Sequence, residues 1–142
     1  MTVDENTREY LKMLQAIITR LNTNSFQIKT IATTIITSFM VFMYEKNQDK
    51  IVNITICAIV FMFWILDTYF LRSEKAYRKI YNDTVYGNSK KRKIYDLDIT
   101  EKLKEKDIRF FKVMFSKTLW PVYLCLTITT WTPLIAKIIL KS

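Results

Sequence analysis

The sequence has no histidine and a single glycine among its 142 residues. Without histidine it lacks the commonest general base and the commonest metal ligand. With one glycine it has little means of making tight turns at positive φ, which points to a few long helices. Cysteine is scarce as well: Cys57 and Cys125 each lie inside an apolar stretch, with no CxxC spacing and no disulfide framework. Two buried free thiols are expected. No Ser–His or Cys–His pair, glycine-rich phosphate loop or metal-ligand cluster can be assembled. Asp96, Asp98 and Glu101 read as a helix-start cap and solvated surface. The chain is therefore not expected to be an enzyme, and no cofactor, catalytic residue or metal site is expected.

What the sequence does have is apolar length. Half of its residues are hydrophobic, and its net charge is +9. Residues 51–71 (IVNITICAIVFMFWILDTYFL) contain one ionisable group, Asp67. As a helix they extend ~31 Å, about one bilayer core. Residues 25–44 (SFQIKTIATTIITSFMVFMY) carry one charge, Lys29, and residues 119–140 (LWPVYLCLTITTWTPLIAKIIL) carry one, Lys137. Three such stretches in one short chain leave too little polar helix surface to cover them in water. The expected fold class is all-α: a multi-pass membrane protein with a helical hairpin, a third span and long cytoplasmic helical extensions. Its divisions are a cytoplasmic amphipathic helix at 1–24, a two-span hairpin at 25–71, a basic cytoplasmic region at 72–117 and a third span at 118–142. Pro121 and Pro133 weaken that third span, so a two-span version stays open.

Orientation follows from lysine and arginine. The segment 72–117 holds fourteen of the twenty-two basic residues, whereas the link 45–50 (EKNQDK) holds two. The N-terminus and 72–117 are expected in the cytoplasm, and the 45–50 turn and the C-terminus outside. The start of the chain has neither a basic run nor an A-x-A site, so no signal-peptide processing is expected.

Asp67 needs an explanation inside its apolar run, because an intramembrane charge is costly alone and is usually paired. The link is centred near Gln48; Lys29 lies nineteen residues before it and Asp67 nineteen after. An antiparallel hairpin sets the two at one depth. A Lys29–Asp67 pair is expected, with Arg72 as the alternative partner and a gating or ion-pathway role as the alternative use. Thr30, Thr34 and Ser38 recur every four residues and share a face, suited to helix packing or to lining a pore. Pro133 removes the helical partner of the Thr129 carbonyl, and Thr129, Thr130 and Thr132 are near enough to help satisfy it. Trp64, Trp120, Tyr69 and Tyr123 fit interfacial anchors.

Outside the spans, residues 5–24 set Tyr10, Leu14, Ile17 and Leu21 on one helical face. Thr2 to Glu5 fits a capping box. The helix of the second span continues through 72–86, with Glu74 and Arg78 at an i,i+4 spacing and a stripe of Tyr77, Ile80, Tyr81 and Thr84. Gly87-Asn88-Ser89 breaks it, and a further helix is expected from Asp98 or Thr100 towards the membrane. Between them, Lys90, Lys91, Arg92 and Lys93 form a basic run. Anionic lipid of the inner leaflet is the simplest contact for it, a nucleotide or other phosphate ligand the next. Nucleic acid is not expected as a partner.

The stretches IITRLNTNSFQIK (17–29) and FWILDTYFLRSEKAYRKIY (63–81) resemble small bacterial multi-pass membrane proteins, the effectors of anti-phage systems of the CBASS and Thoeris kind. The resemblance covers about residues 8–85. It implies a homo-oligomer that opens when a partner enzyme senses infection and makes a nucleotide signal, depolarising the inner membrane and halting the cell. No separate ligand-binding domain is visible, so activation by a signal-producing partner protein is equally open. A non-conducting membrane anchor that recruits a soluble partner through the Tyr77–Tyr86 helix, and a holin-like phage protein, are the other readings.

Overall fold

A computed structural model describes residues 4–45, 50–87 and 95–140. Every regular element among them is helical: α1 (Glu5–Glu45), α2 (Lys50–Val85), α3 (Thr100–Leu103), a 3-10 turn (Lys106–Ile108), α4 (Phe110–Met114) and α5 (Trp120–Leu140). The fold class is all-α. The expected amphipathic helix and first span are one unbroken helix of 41 residues, about twice what a bilayer core needs. No glycine or proline interrupts it. Likewise α2 runs for 36 residues from the second expected span into the polar region. Of the expected capping box at Thr2–Glu5, Thr2 and Val3 lie outside the described residues.

Among the described residues one helix, Ile51–Val85, is long and apolar enough to cross a membrane. Its most apolar 18 residues average 2.1 in mean hydropathy. The other expected spans, 25–44 and 119–140, lie within α1 and α5 and do not reach that measure over their described residues.

The chain divides into two compact units: Met1–Ser25 with Tyr69–Val113, and Phe26–Thr68 with Met114–Ser142. In the first, Tyr10, Leu14 and Ile80 form a buried core, with Tyr77, Tyr81, Leu97 and Ile99 packed against it. The Tyr10 hydroxyl donates to the carbonyl of Asp96 (2.5 Å) and that of Tyr77 to the carbonyl of Leu97 (3.3 Å), fastening the chain after the basic run onto both helices. Gly87 (φ 69°) ends the turn after α2, where a side chain would be strained.

The helix expected from residue 98 onward is instead broken into α3, the 3-10 turn and α4. Its apolar residues, Ile99, Leu103, Ile108 and Val113, are four and then five apart, so no single helix face collects them. Breaking the chain lets Ile108 and Val113 both be buried. Arg72 covers the carbonyls this frees: Nε donates to Ile108 and Nη2 to Leu103, each at 2.9 Å. Asp98 accepts from the Thr100 backbone N–H (2.9 Å) and holds the start of α3.

The second unit is apolar on its outside as well as within, and encloses a few polar groups. Asn53, Asp67, Thr68 and Thr130 are buried, while Ile51, Ile54, Phe61, Met62, Leu124, Ile128 and Ile139 face outward. Ile28, Ala32 and Ile36 of α1, Ile56 and Val60 of α2, and Leu119 and Tyr123 of α5 fill its interior.

Candidate functional site: a buried charge cluster

Asp67 is wholly buried, with a relative exposure of 0%. Its Oδ2 lies 2.7 Å from Lys29 Nζ, a side chain that keeps 22% exposure. The Tyr123 hydroxyl donates to the same oxygen at 3.0 Å and also approaches the carbonyl of Phe63 at 3.3 Å. One carboxylate oxygen thus receives a cation and a hydroxyl, from two different helices. Charge-assisted contacts of this kind hold an ion that would otherwise be costly to bury.

Local helical geometry supplies the rest of the cluster. One turn before Thr68, Trp64 stacks on Tyr123 with centroids 5.9 Å apart and planes at 12°. The Trp64 indole N–H donates to the carbonyl of Met114 (3.0 Å), and Phe115 meets its ring edge-on at 5.4 Å. Thr68, also wholly buried, donates back to the carbonyl of Trp64 (2.7 Å). Trp64 and Tyr123, expected at the membrane interface, are instead internal partners of the charge. Tyr69 and Trp120 are exposed.

Arg72 does not serve as the partner of Asp67. Five residues along a helix turn it about 140° away, and its guanidinium is held by Leu103 and Ile108 in the other unit. Thr30, Thr34 and Ser38 lie on the outward face of α1, opposite Ala32 and Ile36. Each hydroxyl is satisfied in its own helix, by the carbonyls of Phe26 (3.1 Å), Thr30 (2.9 Å) and Thr34 (2.8 Å). Thr33 and Thr37 do the same, bonding Lys29 and Thr33. Lys90, Lys91, Arg92 and Lys93 lie outside the described residues.

Of the two cysteines, only Cys57 is partly buried; Cys125 is exposed, because it sits on the outer face of α5 beside Leu124. In α5 the Thr132 hydroxyl donates to the Thr129 carbonyl at 2.9 Å, the acceptor that Pro133 leaves without an N–H. The helix continues past the proline to Leu140.

Sequence reasoning missed Tyr123 and Asn53 as members of the interior. The signal for Tyr123 was its register: Tyr123, Thr127 and Thr130 are four and three residues apart and form a polar stripe in an otherwise apolar helix.

Compared with known protein families, with curated proteins and with solved structures, the chain matches none.

Proposed function

We propose that the chain is a multi-pass protein of the bacterial inner membrane that permeabilises or depolarises the membrane when triggered. The observation that carries this reading is the polarity of the unit formed by Phe26–Thr68 and Met114–Ser142. It buries an ion pair and exposes isoleucine, phenylalanine and leucine. Lipid tolerates that arrangement and water does not. The lysine and arginine count puts the N-terminus and 72–117 in the cytoplasm.

In this reading the Lys29–Asp67–Tyr123 cluster locks three spans in a closed packing, and a trigger acting on the basic 72–117 region repacks them. The outward hydroxyl face of Thr30, Thr34 and Ser38 is where copies associate, since hydroxyls permit close helix contact. The resemblance to anti-phage effectors makes a nucleotide signal, or the protein that produces it, the trigger. The alternative is a non-conducting anchor that recruits a soluble partner through the Tyr77–Tyr86 helix, where Ile80 is wholly buried while Val85 and Tyr86 are exposed.

The test is leakage of an ion-sensitive dye from liposomes carrying the inserted protein, alone and with cyclic and ADP-ribose-type nucleotides. Leakage that a nucleotide switches on, and that Asp67→Asn alters, is the expected result. Intact liposomes under every condition, with the partner protein also added, would refute the proposal.

A further inference from the structure

Phe111 of α4 is 73% exposed, although Ile108 before it and Val113 after it are buried. Two residues along a helix turn a side chain by about 200°, so a helix that buries Val113 turns Phe111 outward. The backbone here is held on both sides of Arg109. Arg72 donates to the Ile108 carbonyl at 2.9 Å, and the Arg109 carbonyl accepts from the Val113 N–H at 3.0 Å. The outward ring therefore stands on a fixed frame.

The cations near it in the chain are of two kinds. Lys112 is engaged by Asp107 at 2.7 Å, and Lys102 bridges Asp83 and Glu105. Lys106 and Arg109 are exposed and have no acidic partner among the described residues. Residues 108–142 contain no aspartate or glutamate at all. The surface around Phe111 thus offers positive charge and nothing to neutralise it.

Depth comes from α2. Arg72 is the first residue after the apolar run 51–71, and it holds Ile108, the neighbour of Arg109. Tyr69, one turn earlier, is 59% exposed, an amphipathic ring of the kind found at membrane–water boundaries. Arg109 and Phe111 follow at the level where apolar surface gives way to polar.

We propose that Arg109 and Phe111, with Lys106 adding charge, hold an anionic phospholipid of the bilayer. The guanidinium takes the phosphate, which it can meet with two parallel hydrogen bonds, and the ring lies among the first acyl methylenes. The proposal rests on the membrane reading above and names a partner for the 72–117 region. Because Arg109 adjoins the residue that Arg72 holds, lipid at this site also steadies the bent segment 100–114.

The experiment uses the full chain in vesicles of phosphatidylcholine, alone or with an equal part of phosphatidylglycerol. A nitroxide is placed at Phe111→Cys in a Cys57→Ser, Cys125→Ser background. Its collisions with oxygen and with a water-soluble nickel complex are then compared. High oxygen and low nickel contact are expected, since lipid dissolves the first and excludes the second. High nickel contact would show water at the ring, and low contact with both would show protein over it; either overturns the proposal. In detergent, with Phe111 intact, phosphatidylglycerol should raise the unfolding midpoint more than phosphatidylcholine does. Arg109→Gln should remove most of that difference, whereas Lys12→Gln on α1 should leave it. Equal effects of the two lipids, or a full difference in Arg109→Gln, would also overturn it.

An alkaline carbonate wash separates this site from the spanning reading. If the chain stays in the vesicles while the label or the lipid preference fails, the site falls and the permeabilising function is untouched. If the chain washes off while phosphatidylglycerol still acts through Arg109, the site stands and the spanning reading falls.

Discussion

Lys29 and Tyr123 meet at one atom, the Oδ2 of Asp67, at 2.7 Å and 3.0 Å. They approach it from different helices, α1 and α5, while Asp67 is on α2. A single carboxylate oxygen thereby ties all three helices of its unit together.

Breaking that tie from one side should be worse than removing it. Asp67→Asn or Lys29→Met alone leaves an unmatched group in an apolar setting, a loss of about 3–5 kcal/mol for a buried pair. The double variant should recover much of this. Thermal unfolding in detergent of the two singles and the double makes a complete cycle. Additive losses would mean that the contact carries no coupling.

Tyr123→Phe removes the hydroxyl but keeps the ring on Trp64. The expected loss is about 1.5–3 kcal/mol, the range for a hydrogen bond to a charged group. Tyr123→Leu should cost more, since the stacked ring goes as well. Equal losses for the two would place the whole effect in the ring.

Thr132→Val should destabilise α5 by about 1 kcal/mol, because the Thr129 carbonyl loses its donor. Pro133→Ala restores a backbone N–H at that position and should make Thr132→Val nearly silent. Both are read from unfolding midpoints. A full loss in the Pro133→Ala background would show that Thr132 acts through something else.

Arg72→Lys retains charge but cannot reach the carbonyls of Leu103 and Ile108 together. Limited proteolysis should then cut faster at Lys104 and Lys106. Arg72→Met should behave like Arg72→Lys if carbonyl bonding, and not charge, is what Arg72 contributes.

The unit formed by Met1–Ser25 and Tyr69–Val113 should be stable over a broad pH window with two different edges. Lys79 donates to Glu105 and, with Lys102 3.2 Å away, holds its carboxyl below the ordinary value of 4.5. That contribution is complete above 4.5 and fades as pH falls through the lower folded value. Lys102 is raised above 10.5, first by its hydrogen bond to Asp83 at 2.6 Å, so its contribution fades only as pH rises through that higher value. Both pairs are about a third exposed at the carboxylate, which limits each to about 1 kcal/mol or less. Melting temperatures of Glu105→Gln and the wild type should converge at the acid edge, and those of Lys102→Met at the alkaline edge. A constant difference across the whole range would exclude the pairs as its source.

How much was readable in advance differs from one residue to the next. The depth of Lys29 and Asp67 followed from counting outward from Gln48, because a helical hairpin with a short link has only one simple register. The same counting could not choose between Lys29 and Arg72, whose rotation about the helix mattered more than its distance along it. Tyr123 was misread because an aromatic near the end of an apolar run has the same composition at a membrane interface as in an interior. The broken chain at 100–114 was misread because its charge alternation suits a solvated helix, while burial of Ile108 and Val113 favours a bend.

Composition and periodicity by themselves determined that the chain is helical, since one glycine and long apolar runs permit little else. Local spacing also placed Thr132 within reach of the Thr129 carbonyl that Pro133 leaves without a donor. Tertiary structure alone decided that Tyr123 joins the charge, that Arg72 holds the loop and that Asn53 is enclosed without a partner. Those outcomes depend on how helices distant in sequence are rotated against one another. A helix's own sequence sets which residues share a face; only packing against other helices decides which face is turned inward.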